Sequence, residues 1–187
     1  CETMKAGVGA AGALIDYVSE TQCQKIEHLS AVQTYSLGQF LVVDDQSCRN
    51  LELSGNLRSG SRKGTVLDIL DHTVTAMGGR LMAQWLRYPR LEPSDINTRF
   101  DAVADAVEQM QTRRDLRELL KPVRDLERLG SKISMGQGNA RDLTALKHSI
   151  LALTDIFSAL SHLSAAPYRY ERDTTAMQAL ADLIHRA

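Results

Sequence analysis

Leu143, Leu146, Ile150, Leu153, Phe157 and Leu160 stand three, four, three, four and three residues apart, the spacing of an a/d heptad seam. Asn139 can cap the helix that carries them. From Ala140 to Leu163 that helix would run roughly 36 Å at 1.5 Å per residue, which reads as a rigid strut. A coiled coil and a long bundle helix share this pattern, and three heptads do not separate them. Helical periodicity dominates elsewhere too. Lys5 to about Glu20 reads as a closely packed helix. Thr65 is placed to cap Val66 to Leu70, and Thr75 to cap Ala76 to Tyr88, where Met77, Leu81, Trp85 and Tyr88 share one side and Pro89 ends the run. Pro93 suits a first helical turn. Behind it Ile96, Phe100, Val103, Val107 and Met110 form an amphipathic stripe that predicts an inward face. Leu116, Leu119 and Leu120 mark a shorter helix; Asp125 opens another with Leu126, Leu129 and Ile133 inward; Met177, Leu180, Ala181 and Ile184 begin a last one. β-formers cluster once, at Tyr35, Phe40, Val42 and Val43, and predict a small hairpin near residues 34–43. The fold class is therefore mainly α: a helical bundle around one long heptad helix.

Composition narrows the classes. With 187 residues and 43% hydrophobic content the chain can build an ordinary core. Its formal net charge of -1 gives no global field to draw in nucleic acid or a membrane surface. Cys1, Cys23 and Cys48 are an odd number without CxxC spacing, which argues against a disulfide framework and a zinc ribbon and for a reducing, cytoplasmic setting. No apolar run approaches the roughly 18 residues of a membrane span. The chain begins with Cys1, and its last helical pattern still runs at Ala187, so a piece of something larger is expected.

Candidate chemistry gathers first in DDQSCRNLEL, Asp44 to Leu53. Asp44 stands where an N-cap belongs, and Asp45 adds favourable charge at the same helix end. The pair lacks the further ligands that would complete a metal shell. Arg49 and Glu52 can pair along the helix surface, with Cys48, Leu51 and Leu53 inward. Gly7, Gly9 and Gly12 spell GxGxxG, but no strand precedes them, so a helix with small residues is the better reading than a dinucleotide site. SGSRKG does not meet the Walker A pattern; its Arg58, Arg62 and Lys63 either touch a phosphate or are solvated. The five histidines have no metal-ligand spacing. No coherent catalytic, cofactor or metal site emerges.

Three ordered runs, VVDDQSCRNLEL, TVLDILDHTVTAMGGRLMAQWLRYP and VRDLERLGSKISMGQGNARDLTALKHSI, resemble the core of the MutS family, ATPases that recognise mismatched DNA. Asp44, Asn50, Leu51, Glu52 and Leu53 match the first family motif, with Cys48 a departure from the usual pattern. Asp71, Thr73, Thr75, Met77, Gly78, Arg80, Leu81, Trp85, Leu86 and Pro89 match the second. Asp125, Leu126, Glu127, Arg128, Leu129, Arg141, Asp142, Leu143 and Leu146 match the third. The resemblance implies that residues 1–30 end a connector domain, and that residues 31–187 are the N-terminal half of a core, or lever, domain cut before the DNA clamp. It implies a force-transmitting role without catalysis in this stretch. ATP, magnesium, mismatched duplex, homodimerisation and further repair proteins would belong to the longer protein. With its clamp-side partner outside the chain, part of the heptad seam is expected to be uncovered and to drive self-association. The alternative is a stand-alone helical module that docks partner proteins.

Overall fold

The computed structural model describes residues 4–22, 37–169 and 173–186. The chain divides into two compact units, Cys1–Leu37 and Gly38–Ala187. In the first, the described structure is helix α1, Lys5–Gln22. Its last turns carry back-bonds from the Ser19 hydroxyl to the Ile15 carbonyl and from the Thr21 hydroxyl to the Tyr17 carbonyl, each 2.8 Å. Gly7, Gly9 and Gly12 all lie inside α1, so they form no strand-to-helix phosphate turn. Among the described residues, a Cβ at Gly9 or Gly12 would meet nothing within 4 Å, and one at Gly7 would meet the Met4 Cβ at 3.6 Å.

The second unit is built from α2 (Asp45–Asn50), α3 (Val66–Leu70), α4 (Ala76–Arg87), α5 (Pro93–Glu108), α6 (Met110–Leu120), α7 (Leu126–Ser134), α8 (Ala140–Leu160) and α9 (Thr175–Arg186), with a 3-10 turn at Ala166–Tyr168 between the last two helices. Local chemistry starts most of them. Asp44, Thr65, Thr75, Asp125 and Asn139 each accept the backbone N–H three residues on, the geometry of an N-cap. Asn139 and Asp142 complete a reciprocal capping box at the start of α8.

The predicted hairpin is replaced by a longer-range contact. Leu37–Gln39 is a 3-10 turn, and Phe40 pairs antiparallel with Arg90 through Leu41 N–H to the Pro89 carbonyl (2.8 Å) and Leu91 N–H to the Gln39 carbonyl (3.2 Å). Pro89 has no N–H to offer and uses its carbonyl alone. The Arg90 guanidinium lies 4.5 Å from the Phe40 ring centre, and Tyr88 meets Phe40 edge-on at 6.3 Å. The expected partners at residues 34–36 lie outside the described residues, and no strand occurs among the described ones.

α8 is the spine. α6, α7 and α9 all pack against it, and the core joins Leu116, Val123, Ile156 and Leu163 with Met77, Leu120, Leu126, Leu153 and Leu160 around them. Ile150 of the heptad seam is buried and its five companions are half-buried, while Ser149 and Ile156 off the seam are also buried. The helix is therefore wrapped more broadly than a two-residue coiled-coil seam requires. Helix α9 also packs on α8, with Ala181 1% exposed and its small side chain letting the helix sit close, and the seam expected to be partly uncovered is half-buried at five of its six positions.

Helix α5 is rotated opposite to its pattern. Phe100, Val103 and Val107 are exposed, as is Met110 at the start of α6, Ile96 is half-buried, and Ala102 is the buried residue. Two polar anchors set this rotation: the Asp105 carboxylate accepts from Ser164 N–H (2.6 Å) and Ala165 N–H (2.8 Å), and the Tyr168 hydroxyl donates to the Ala102 carbonyl (2.9 Å). On α4, Leu81, Trp85 and Tyr88 are likewise exposed, and the Arg99 guanidinium lies 3.7 Å from the Trp85 ring centre.

Candidate functional site

The first motif forms local scaffolding. Asp44 accepts from Ser47 N–H at 2.6 Å, and that hydrogen bond holds its carboxyl below the usual carboxylate range. Asp45 pairs with Arg87 of α4, whose guanidinium also touches the Cys48 sulfur. Leu51 does not point inward as expected: α2 stops at Asn50, Leu51 is its C-cap, and its side chain is exposed. Glu52 does not pair with Arg49. It adopts φ 48°, and its carboxylate accepts from Leu57 N–H at 2.7 Å. That contact closes the loop from the front, while Val66 N–H to the Glu52 carbonyl (3.1 Å) and Leu67 N–H to the Leu53 carbonyl (2.9 Å) close it behind. The loop carrying Arg58, Arg62 and Lys63 is thus a hydrogen-bonded turn system. Arg62 is committed to Asp71, and Arg58 and Lys63 are exposed.

The second and third motifs meet. Asp71 accepts from the Thr73 hydroxyl (2.6 Å) and Thr73 N–H (3.0 Å) and pairs with Arg62; the Thr73 hydroxyl and then the Arg62 guanidinium hold its carboxyl down at about 2. Thr75 caps α4 through Gly78 N–H (3.1 Å). A Cβ at Gly78 would stand 3.0 Å from the Thr75 hydroxyl and 3.2 Å from the Thr73 Cβ, so that glycine makes room for the side chains of its own N-terminal turn.

One turn further on, Arg80 reaches forty-five residues along the chain. Its Nη1 and Nη2 donate to the two Asp125 oxygens at 2.6 and 2.8 Å, and Nη2 also to Glu127 at 2.5 Å. Such a bidentate fork fixes orientation as well as distance. Asp125 simultaneously caps α7 and forms an ion pair with the Arg128 side chain at 3.5 Å. The Arg80 guanidinium holds its carboxyl down at about 2, and Asp125 in turn pushes Arg80 above the ordinary arginine value. From α7, Lys132 donates to Asp142 at 2.7 Å, so the chain of charges continues to the first turn of α8. Arg117 of α6 adds a bond to the His72 carbonyl at 2.7 Å. Trp85 and Pro89 stand at the other end of α4, and Arg141 is exposed beside Asp142.

These groups are fasteners. Their carboxylates are engaged in hydrogen bonds and ion pairs, and no set of three His, Cys, Asp or Glu side chains that could hold a metal ion occurs among the described residues. Arg62, Arg87, Lys132 and Ser149 were missed as structural partners by sequence reasoning. Their bonds span nine to forty-two residues and leave no periodic trace.

A helical module whose charged motifs tie one helix to the next is the class these features define. The family description "MutS domain III" matches residues 46–187. The chain is 47% identical over 192 aligned residues to the DNA mismatch repair protein MutS of Desulforapulum autotrophicum, covering 100% of this chain and 22% of that protein. It is 44% identical to the protein of the same name from Desulfosudis oleivorans over 192 residues, with the same coverage. It is 42% identical to that from Symbiobacterium thermophilum over 188 residues, again 100% and 22%. The chain spans about a fifth of the length of these relatives. It belongs to the MutS family.

Proposed function

We propose that this chain is the lever region of a longer mismatch-repair ATPase, carrying nucleotide-driven movement to the grip on DNA. The observation that carries this reading is the Arg80 fork on Asp125 and Glu127, which fastens α4 to the start of α7, while Lys132 fastens α7 to α8. A part that transmits movement needs elements that shift as units, and bidentate charged joints between helices supply that stiffness. ATP and magnesium bind elsewhere in the longer protein, as does the mismatched duplex. That protein acts in the cytoplasm, as a homodimer that works with further repair proteins. Residues 1–30 serve as the end of a connector and residues 31–187 as half of the lever domain.

A second reading, a docking module for other proteins, draws on the exposed Phe100, Val103 and Val107 of α5. The first reading is tested on the chain alone. It should hydrolyse no ATP above a buffer control and bind mismatched and matched duplexes equally weakly. Hydrolysis, or a preference for the mismatch, would contradict it.

A further inference from the structure

A groove of about 470 Å³ lies between the α6–α7 connection and the first half of α8, lined among others by Pro122, Arg124, Ala140, Arg141, Ala145 and His148. Its charge is unbalanced. The acids of the neighbouring segments are already engaged: Asp125 and Glu127 by Arg80, and Asp142 by Lys132. Among the described residues neither the Arg124 nor the Arg141 guanidinium has a side-chain partner, and both residues are exposed. The backbone of Arg124 is anchored, because its N–H is bonded to the buried Ser149 hydroxyl at 2.9 Å. Two exposed, unpaired guanidinium groups, one of them on an anchored backbone, thus flank a lining of Pro122, Ala140 and Ala145, which offers apolar contact without bulk.

We propose that this groove docks an acidic segment of a separate polypeptide, with Arg124 and Arg141 each taking a carboxylate and the Pro–Ala lining taking its apolar side chains. Arginine forks match carboxylates bidentately. Nucleic acid fits less well: backbone binding draws on about six to ten phosphate contacts, whereas the groove offers two guanidinium groups and, for stacking, the single imidazole of His148. The inference is independent of the lever role.

The test uses a short fluorescein-labelled peptide rich in Glu and Leu, its counterpart with every Glu replaced by Gln, and a labelled DNA duplex, each titrated against the chain by fluorescence anisotropy. The Glu peptide should bind, weaken as salt rises, and outcompete both controls. Arg124→Gln or Arg141→Gln should each weaken it about fivefold, with both together giving about twentyfold, in the range of exposed ion pairs. Arg141→Lys should recover part of the loss, with circular dichroism confirming unchanged helix content throughout. Equal binding of the Glu and Gln peptides, tighter binding of the duplex, no binding at all, or a double variant that binds like the parent would each overturn the proposal. So would a longer protein carrying this region that fails to bind a peptide the chain binds, since the groove would then be filled from within.

Discussion

Ser149→Ala removes one oxygen from a site with no solvent exposure. That oxygen does two things: it donates to the Ala145 carbonyl at 2.8 Å and accepts the Arg124 N–H at 2.9 Å. The first bond is a back-bond within α8, and its loss leaves Ala145 with its ordinary helical partner. The second ties the Val123-containing connection between α6 and α7 to the spine, and its loss leaves a backbone N–H unsatisfied. An orphaned donor of this kind costs about 1–3 kcal/mol. The better helix propensity of alanine returns about 0.5 kcal/mol. The net loss of about 0.5–2.5 kcal/mol corresponds to a melting point lower by roughly 1–10 °C at about 2–4 °C per kcal/mol for a chain of this size. Thr144→Ala is the matched control, because Thr144 makes the same kind of back-bond, to the Ala140 carbonyl at 2.8 Å, and is exposed without a cross-link. Urea and thermal unfolding followed by circular dichroism should separate the two variants. Equal midpoints for Ser149→Ala and Thr144→Ala would refute the cross-link as a source of stability.

Asp71 and Asp125 have carboxyls depressed to about 2 from unfolded values near 4, so the stability they contribute is complete above about pH 4 and lost as pH falls toward 2. Melting points measured across that range should fall, and Asp125→Asn should remove part of the fall; a flat profile down to pH 2 would contradict the joint. Ile156→Ala, in the core, should cost about 2–5 kcal/mol by urea unfolding, whereas Leu51→Ala, exposed, should stay within about 0.5 kcal/mol. The reverse order would overturn the burial pattern. Ala181→Arg should push α9 off α8 and uncover apolar surface, seen in light scattering as mass that rises with concentration relative to the parent chain; an unchanged mass and helix content would mean that α9 does not cover the spine.

Helix starts were legible because a cap is a local event. An Asp, Asn or Thr three residues ahead of a free N–H decides it, as at Asp44, Thr75, Asp125 and Asn139. The long α8 was legible for a related reason, since its length and period are written in one uninterrupted run. The rotation of α5 was not. Its apolar stripe pointed one way, while Asp105 and the Tyr168 hydroxyl, bonded to residues about sixty positions away or more, turned the helix the other. The same holds for Phe40, whose partner Arg90 lies fifty residues on, and for the choice of Asp125 by Arg80. Periodicity reports that a face exists, and long-range polar contacts decide what meets it. At the joint, the motif residues were named from resemblance, but the fork between Arg80 and Asp125 required the fold.

The central claim is that this joint transmits. In the longer protein that carries this region, the affinity for a mismatched duplex is measured with and without ATP, and the ratio is the coupling between the two sites. The Arg80→Gln and Asp125→Asn variants break the fork from either side, and asparagine at 125 still caps α7. The account predicts that each variant brings the ratio toward one, that the double variant does no more than either alone, and that ATP binding itself is unchanged. Wild-type coupling in both single variants, or losses that simply add, would contradict it.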